Sequence, residues 1–152
     1  MQGTLHSAEI ARPHVIPGGI FSDERGTVGF VDDFLMTDVR RFYFIGFPAM
    51  GAVRAWIGHR HERKWFAAAA GRIALVVRPL EAFAQIEAEP ARVFRIEEAQ
   101  PCVIAVPAGH AVGMKALSPH ARLLVFSDKT LEEAKGDDIR FDKNEGFDWE
   151  TL

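Results

Sequence analysis

Residues 53–80 read VRAWIGHRHERKWFAAAAGRIALVVRPL. The first residues alternate small or polar side chains with large ones, as a half-buried strand does. Two further strand candidates, KWFAAAA (Lys64–Ala70) and RIALVVRPL (72–80), are separated by Gly71 alone, and so short a gap predicts a β-hairpin. The four consecutive alanines favour helix, but the run is too short for an isolated helix and is flanked by aromatic residues and a glycine. We therefore predict a strand there.

Short apolar segments of the same kind recur along the rest of the chain, with turn residues between them. This repetition predicts an all-β fold, either a sandwich or a barrel, and we expect a single domain over residues 1–152. The other strand candidates are IFSDERG (20–26), TVGFV (27–31), RFYFIGF (41–47), ARVFRIEEA (91–99), CVIAVP (102–107) and ARLLVFSD (121–128).

One helix is predicted, close to the end of the chain. Ser127 or Asp128 can cap it, LEEAK (131–135) is a good helix former, and Gly136 stops it. We expect the C-terminal arm, about residues 129–152, to pack irregularly on the body, because it carries three aromatic side chains that favour burial: Phe141, Phe147 and Trp149.

Composition excludes several classes of function. The 152 residues carry a net charge of −3 with both signs interspersed, which argues against a nucleic-acid or membrane-surface partner. The longest apolar runs are too short to span a bilayer. The first residues, MQGTLHSAEIARPH, lack the pattern of a signal peptide, and with a single cysteine this favours a cytoplasmic protein.

The densest group of chemically active side chains is GHRHERKW, residues 58–65. His59 and His61 are two residues apart, so on a strand they would point to the same face and, if that face is internal, into one cavity. Arg54 and Lys64 would add positive charge. A second group, PAGHAVG (107–113), places His110 in a turn before the last long strand.

Three chemistries could use these groups. The first is metal binding by His59, His61 and His110. The second is proton transfer next to a carbonyl, with a histidine as base and cations stabilising the enolate. The third is recognition without catalysis. For His110 alone, hydrogen bonding to the backbone is a more common role of a loop histidine than membership of a site.

These two groups resemble the two motifs of the cupin superfamily, which implies a jelly-roll β-barrel. His59-Arg60-His61 and Gly71 match the first motif, but Lys64 stands at its glutamate position. Residues 107–109 (PAG) match the second motif, but Val112 stands at its histidine position. Because two of the four usual ligands are replaced, one by a cation, the resemblance argues against the usual cupin metal, and we expect no cofactor.

Most of the chain is similar to the RmlC-like cupins, which include dTDP-4-dehydrorhamnose 3,5-epimerases and dTDP-sugar 3,4-ketoisomerases. The matching segments are FSDERG (21–26), RRFYFI (40–45), VRAWIGHRHERKW (53–65), VPAGHAVGMKAL (106–117) and LLVFSDKTLEEAK (123–135). The epimerases' catalytic histidine and tyrosine fall at Ile57 and near Val125. The H-x-H pair and Tyr43 match the ketoisomerases better.

The resemblance implies an isomerase acting on a dTDP-linked 4-keto-6-deoxyhexose, in the synthesis of a surface polysaccharide sugar. Its catalytic residues would be His61 as base, His59 as its partner, and Tyr43. Its substrate-binding residues would be Arg25 on the diphosphate, Arg54 and Lys64 on the enolate oxygen, Trp65 or Phe42 stacked on the pyrimidine, and His110. Related cupins pair through N-terminal strands, and this implies a homodimer.

Three alternatives remain open at this point. The chain could be a non-catalytic cupin that binds sugar nucleotides. It could be a 3,5-epimerase-like enzyme with a rearranged site, or a metal cupin that uses the three histidines.

Overall fold

The chain folds into two antiparallel five-stranded sheets that face each other across a hydrophobic core. A computed structural model describes residues 12–84 and 90–152. The strands are β1 (His14–Pro17), β2 (Gly19–Asp23), β3 (Gly26–Phe30), β4 (Arg41–Gly46), β5 (Val53–His59), β6 (Lys64–Ala70), β7 (Arg72–Pro79), β8 (Arg92–Glu97), β9 (Cys102–Val106), β10 (His110–Ala116), β11 (Arg122–Ser127) and β12 (Ile139–Arg140).

One sheet has the strand order β1-β9-β6-β11-β4, and the other has the order β12-β5-β10-β7-β8. Strands that are distant in sequence lie side by side, as in a jelly roll, so the predicted all-β cupin-type barrel is confirmed. β2 and β3 form a separate hairpin. The hydrophobic residues of the core come from the inner faces of both sheets, and Phe66, Leu75 and Leu123 are almost completely buried.

The predicted strands around the alanine tetrad are confirmed, since β6 and β7 follow each other with only Gly71 between them. Gly71 has φ +68° and a side chain there would meet Ser118, so the tight turn requires glycine. The prediction of a turn around His110 was incomplete. That residue begins β10, which pairs with both β5 and β7 in the middle of its sheet.

The predicted helix is present as α1 (Leu131–Ala134). Its N-cap is Thr130, which forms a capping box with Glu133, and neither Ser127 nor Asp128 serves as the cap. The arm that follows covers the outer face of the β5–β10 sheet. There Trp149 is buried against Trp56, their ring centroids 5.4 Å apart, which confirms its predicted burial. Phe141 and Phe147 pack against the same cluster but are only partly buried.

No helix in the described part of the chain is long and apolar enough to cross a membrane. The absence of a signal peptide was predicted from residues 1–14, most of which lie outside the described residues, so it stays a prediction.

Candidate functional site

A cavity of about 250 Å³ opens between the two sheets. Its polar lining consists of one hydroxyl and three cationic side chains. The lining residues are Tyr43, Ile45, Val53, Arg54, Ala55, Trp56, Ile57, Lys64, Phe66, Val112, Met114 and Arg140.

Lys64 lies inside this cavity and contacts Tyr43. Its Nζ donates a hydrogen bond of 2.9 Å to the Tyr43 hydroxyl, and the side chain is only 7% exposed. Strand alternation explains the position, since Lys64 and Phe66 face inward on β6 while Trp65 faces outward. A buried ammonium and a phenol held together form a polar group that an oxygen of a bound molecule could contact.

The cavity carries positive charge that the protein does not neutralise. Within residues 12–84 and 90–152, Arg54, Lys64 and Arg140 form no ion pair. The lining contains no carboxylate. Cations gathered in a concave, partly apolar site attract anions, although the chain as a whole has a net charge of −3.

His59 lies at the end of β5, on the same face of the strand as Ile57, which lines the cavity. Its ring is buried, and Nδ1 lies 3.1 Å from the carbonyl oxygen of Asp137. Because a carbonyl only accepts, Nδ1 carries the proton in this contact. Nε2 then keeps its lone pair, and it has no hydrogen-bond partner among the described residues.

The electrostatic surroundings keep His59 neutral. Burial is the main cause that lowers the pKa of its imidazole, and the positive charge of Lys64 lowers it further. Glu62, the Asp137 carbonyl and Asp138 oppose this shift only in part. His59 itself does not line the cavity, but it follows the lining residue Ile57 by two positions on β5. A neutral imidazole with a lone pair at Nε2 has the protonation state that a general base requires.

Asp137 anchors the turn that follows His59. Its carboxylate accepts hydrogen bonds of 2.8, 3.0 and 2.9 Å from the backbone N–H groups of Arg60, His61 and Glu62. Burial alone would raise the pKa of Asp137, but the three N–H groups and His59 outweigh it and the pKa is lowered. The carboxylate is therefore ionised and holds the β5–β6 turn in one conformation.

Glu62 is a second buried carboxylate near His59. Arg41 and Ser127 donate to its Oε2, and its Oε1 lies 3.5 Å from Nδ1 of His59. His59, Glu62 and Asp137 are close enough to form a group of potential metal donors. The Asp137 carboxylate already accepts three backbone hydrogen bonds, and Glu62 is paired with Arg41, so most of these oxygens have other partners.

The structure does not bring the two histidines of the H-x-H pair together, and the sequence-based expectation of a shared cavity is wrong. β5 ends at His59, so His61 lies in the turn, where strand alternation no longer applies, and its side chain is exposed. Of the two histidines, only His59 is buried.

His110 is the Cα partner of His59 across β5 and β10, but its ring contacts other groups. Its Nδ1 lies 3.2 and 3.1 Å from the carbonyl oxygens of Pro107 and Ala108, and it lines a different cavity beside Arg92. In the part of the chain that the structure describes, neither His61 nor His110 belongs to a group of potential metal donors, so the three-histidine site does not assemble.

The other predicted binding residues lie outside the cavity. Trp65 and Phe42 are on the outer face of their sheet, where each lies near another aromatic ring, Phe34 and Phe44 respectively. Arg25 lies at the turn of the β2–β3 hairpin, where its side chain is 80% exposed and pairs with Asp23. The structure thus brings together Tyr43, Arg54 and Lys64 in one cavity, and His59 lies two positions after the lining residue Ile57. His61, His110, Trp65 and Arg25 do not line this cavity.

Three residues of the site were missed from the sequence: Glu62, Asp137 and Arg140. Glu62 follows the H-x-H pair directly and could have been noticed there. Asp137 and Arg140 lie in the C-terminal arm, and no spacing or motif connects that arm to β5, because the contact exists only in the folded chain.

One cavity position and one core position correspond to the catalytic residues expected from the epimerases. Ile57, at the expected histidine position, lines the cavity with an apolar side chain. Val125, near the expected tyrosine position, is the Cα partner of Tyr43 on the adjacent strand. Tyr43 therefore lies beside the position at which the epimerases have their tyrosine, but it belongs to β4, whereas Val125 belongs to β11.

No protein-family model and no curated protein matches the sequence, whereas many solved structures share its fold. A dTDP sugar isomerase from Desulfovibrio desulfuricans aligns with a TM-score of 0.74 and 16% identity over 92% of this chain and 92% of its own. QdtA, a sugar 3,4-ketoisomerase from Thermoanaerobacterium thermosaccharolyticum in complex with TDP, aligns with a TM-score of 0.67 and 14% identity over 85% of this chain and 88% of its own.

The RmlC epimerase of Mycobacterium tuberculosis aligns with a TM-score of 0.72 and 16% identity over 90% of this chain and 74% of its own. These similarities confirm the fold of the RmlC-like cupins that the sequence predicted.

Proposed function

We propose that this protein is an isomerase that acts on a nucleotide-linked 4-keto-6-deoxyhexose of the dTDP type. The observation that carries the proposal is the cavity in which Lys64 and Tyr43 are hydrogen-bonded, with His59 two positions after its lining residue Ile57 on the same face of β5. The fold supports it, because proteins of this fold include a ketoisomerase in complex with TDP-4-keto-6-deoxyglucose. In this role the product would supply an unusual surface sugar.

The reaction we propose is 3,4-ketoisomerisation. The C4 carbonyl acidifies the C3–H bond, so Nε2 of His59 removes the C3 proton and an enediolate forms between C3 and C4. The ammonium of Lys64 and the hydroxyl of Tyr43 stabilise the negative oxygen. The proton held at Nε2 is then delivered to C4, the proton of the C3 hydroxyl passes to O4, and the carbonyl ends at C3 with a hydroxyl at C4. No redox cofactor is needed, because no net oxidation occurs.

We assign the base to His59, although the sequence alone favoured His61. His59 is buried with a free Nε2 and is held by Asp137, whereas His61 is exposed in the turn. A base must be neutral to accept the C3 proton, and the lone pair at Nε2 of His59 meets this condition.

We further propose that two copies of the chain form a homodimer through the β2–β3 hairpin. Isolated two-stranded hairpins are marginally stable in water, and this one exposes Ile20, Phe21 and Val28, the last two by 56% and 61%. A second copy would bury these side chains. It would also allow Arg25, which lies outside its own cavity, to reach the nucleotide of the partner subunit.

A non-catalytic cupin that binds sugar nucleotides is the second candidate. The observation that favours it is Ile57, an apolar side chain in the cavity at the position of the epimerases' catalytic histidine. An epimerase-like enzyme with a rearranged site is favoured by the tyrosine next to Val125. Each of these two functions predicts a different result from ketoisomerisation when the protein is incubated with a 4-keto sugar.

Incubation with dTDP-4-keto-6-deoxyglucose in deuterated water separates these functions. We expect a 3-keto product with deuterium at C4 and none at C5. His59→Asn should abolish the exchange, while the matched variant His61→Asn should retain it, and both should bind dTDP within a few-fold of the wild type. Rapid exchange at C5 would indicate an epimerase. Binding of dTDP without exchange on several 4-keto sugars would identify a binding protein.

A further inference from the structure

We propose that Arg140, from the C-terminal arm, binds the diphosphate of the nucleotide together with Arg54. This assignment rests on the proposed function, since it specifies which residues hold the anionic part of the ligand. It concerns a residue that no sequence motif connects to the cavity.

The arm places Arg140 at the cavity by adding a strand to the sheet. Ile139 and Arg140 form β12, which pairs with β5 so that Arg140 is the Cα partner of Ile57. Both residues line the cavity, and Arg54 lies three positions before Ile57 on the same strand. The two guanidinium groups thus belong to neighbouring strands at one opening.

The backbone on both sides of Arg140 is fixed. On one side Asp137 holds the turn after β5, as described above. On the other side, Phe141 and Trp56 exchange backbone hydrogen bonds of 3.3 and 3.4 Å, and the Phe141 ring stacks on Phe83 at a centroid distance of 4.0 Å. The backbone at Arg140 is therefore in place before a ligand arrives, so binding has to order only its side chain.

Arg140 has no structural partner that would explain its charge. Arg41 and Arg63 are paired with carboxylates, and Arg72 donates to the carbonyl of Leu117. For Arg140 and Arg54 no side-chain hydrogen bond or ion pair is formed within the described ranges. Both side chains are exposed at the cavity opening, whereas Lys64 is buried inside.

This distribution of charge matches a nucleoside diphosphate sugar. Two guanidinium groups at the opening suit two phosphates, because the planar fork of arginine binds phosphate oxygens in pairs. The single buried ammonium then faces the sugar carbonyl. We therefore expect the diphosphate to contribute more to affinity than the nucleoside, and a monophosphate to bind more weakly than a diphosphate.

The test is isothermal titration of the full chain with TDP, TMP, thymidine and inorganic pyrophosphate. Arg140→Ala should weaken TDP and pyrophosphate at least roughly tenfold, as expected for loss of a charge-assisted pair, and should weaken TMP less. The affinity of Arg140→Lys for TDP should lie between the affinities of the wild type and of Arg140→Ala. The control Arg95→Ala removes an exposed arginine of β8 that does not line the cavity, and it should bind like the wild type.

TDP affinity within twofold of the wild type in Arg140→Ala would overturn the proposal, as would a wild type that binds neither TDP nor pyrophosphate. Diphosphate binding that depends on Arg140, without turnover of any keto sugar, would support this assignment and count against the isomerase. Turnover that is unchanged in Arg140→Ala would support the isomerase and count against the assignment of Arg140 to the diphosphate.

Discussion

Nδ1 of His59 lies 3.1 Å from the backbone carbonyl oxygen of Asp137, a residue 78 positions later in the chain. One contact thus sets both the tautomer and the orientation of the imidazole, because the ring can donate to the carbonyl only from Nδ1. The same aspartate holds the turn after β5 through three backbone N–H groups. The arm is therefore part of the candidate site.

The activity should depend on pH through His59, which must be neutral to accept a proton. Burial and the charge of Lys64 lower its pKa below the ordinary 6.5, so kcat/KM should fall as pH decreases, with the midpoint of the fall below pH 6.5. Lys64→Gln removes a charge that lowers this pKa, so the pKa should rise and the decline should begin at higher pH. Activity profiles and NMR titration of His59 would measure both.

The matched control is Lys143→Gln, which removes an exposed lysine of the arm. Its profile should superimpose on that of the wild type. A profile for Lys64→Gln that is displaced to lower pH, or not displaced, would contradict the proximity of Lys64 and His59.

Loss of the Asp137 carboxylate should destabilise the protein. Asp137→Ala leaves three backbone N–H groups of the β5–β6 turn without their acceptor, and we expect the free energy of unfolding to fall by about 2–4 kcal/mol. Asp138→Ala is the control, because its side chain is 53% exposed and should contribute little. Urea denaturation of the three proteins would test this, and equal effects of the two substitutions would refute it.

The proposed dimer should depend on the exposed apolar side chains of the β2–β3 hairpin. Phe21→Asp places a charge on that surface and should shift the protein toward monomer at micromolar concentration, as measured by light scattering. Leu131→Asp changes an apolar residue of α1 that is even more exposed, and it should leave the mass unchanged. A monomeric wild type would disprove the dimer.

The protein should be isolated without a stoichiometric metal. Lys64 stands at the position of the usual cupin glutamate, and the oxygens near His59 are largely engaged by Arg41 and by backbone N–H groups. Elemental analysis of the purified protein would test this. One zinc, nickel or iron per chain, lost in His59→Asn, would contradict it.

Much of the fold followed from local features of the sequence. Alternation of apolar and polar residues, together with turn glycines, predicted most strands, including β6 despite its four alanines. The arm's aromatic residues correctly predicted that the arm packs on the body. β10 was missed because PAGHAVG contains two glycines, and its strand character comes from pairing with β5 and β7 on both sides, which is a long-range effect.

Within the site, the sequence by itself determined the candidates Tyr43, Arg54, Lys64 and His59, because strand periodicity and motif resemblance are local properties. Only the tertiary structure decided which of them meet. It ended β5 at His59, two residues before His61, because Asp137 holds residues 60–62 in a turn. It also added Arg140 to the cavity through β12. Contacts between the arm and β5 join residues about 80 positions apart. No local pattern of residues encodes which distant group will form the hydrogen bond of a backbone N–H or of an imidazole, so these contacts are visible only in the folded chain.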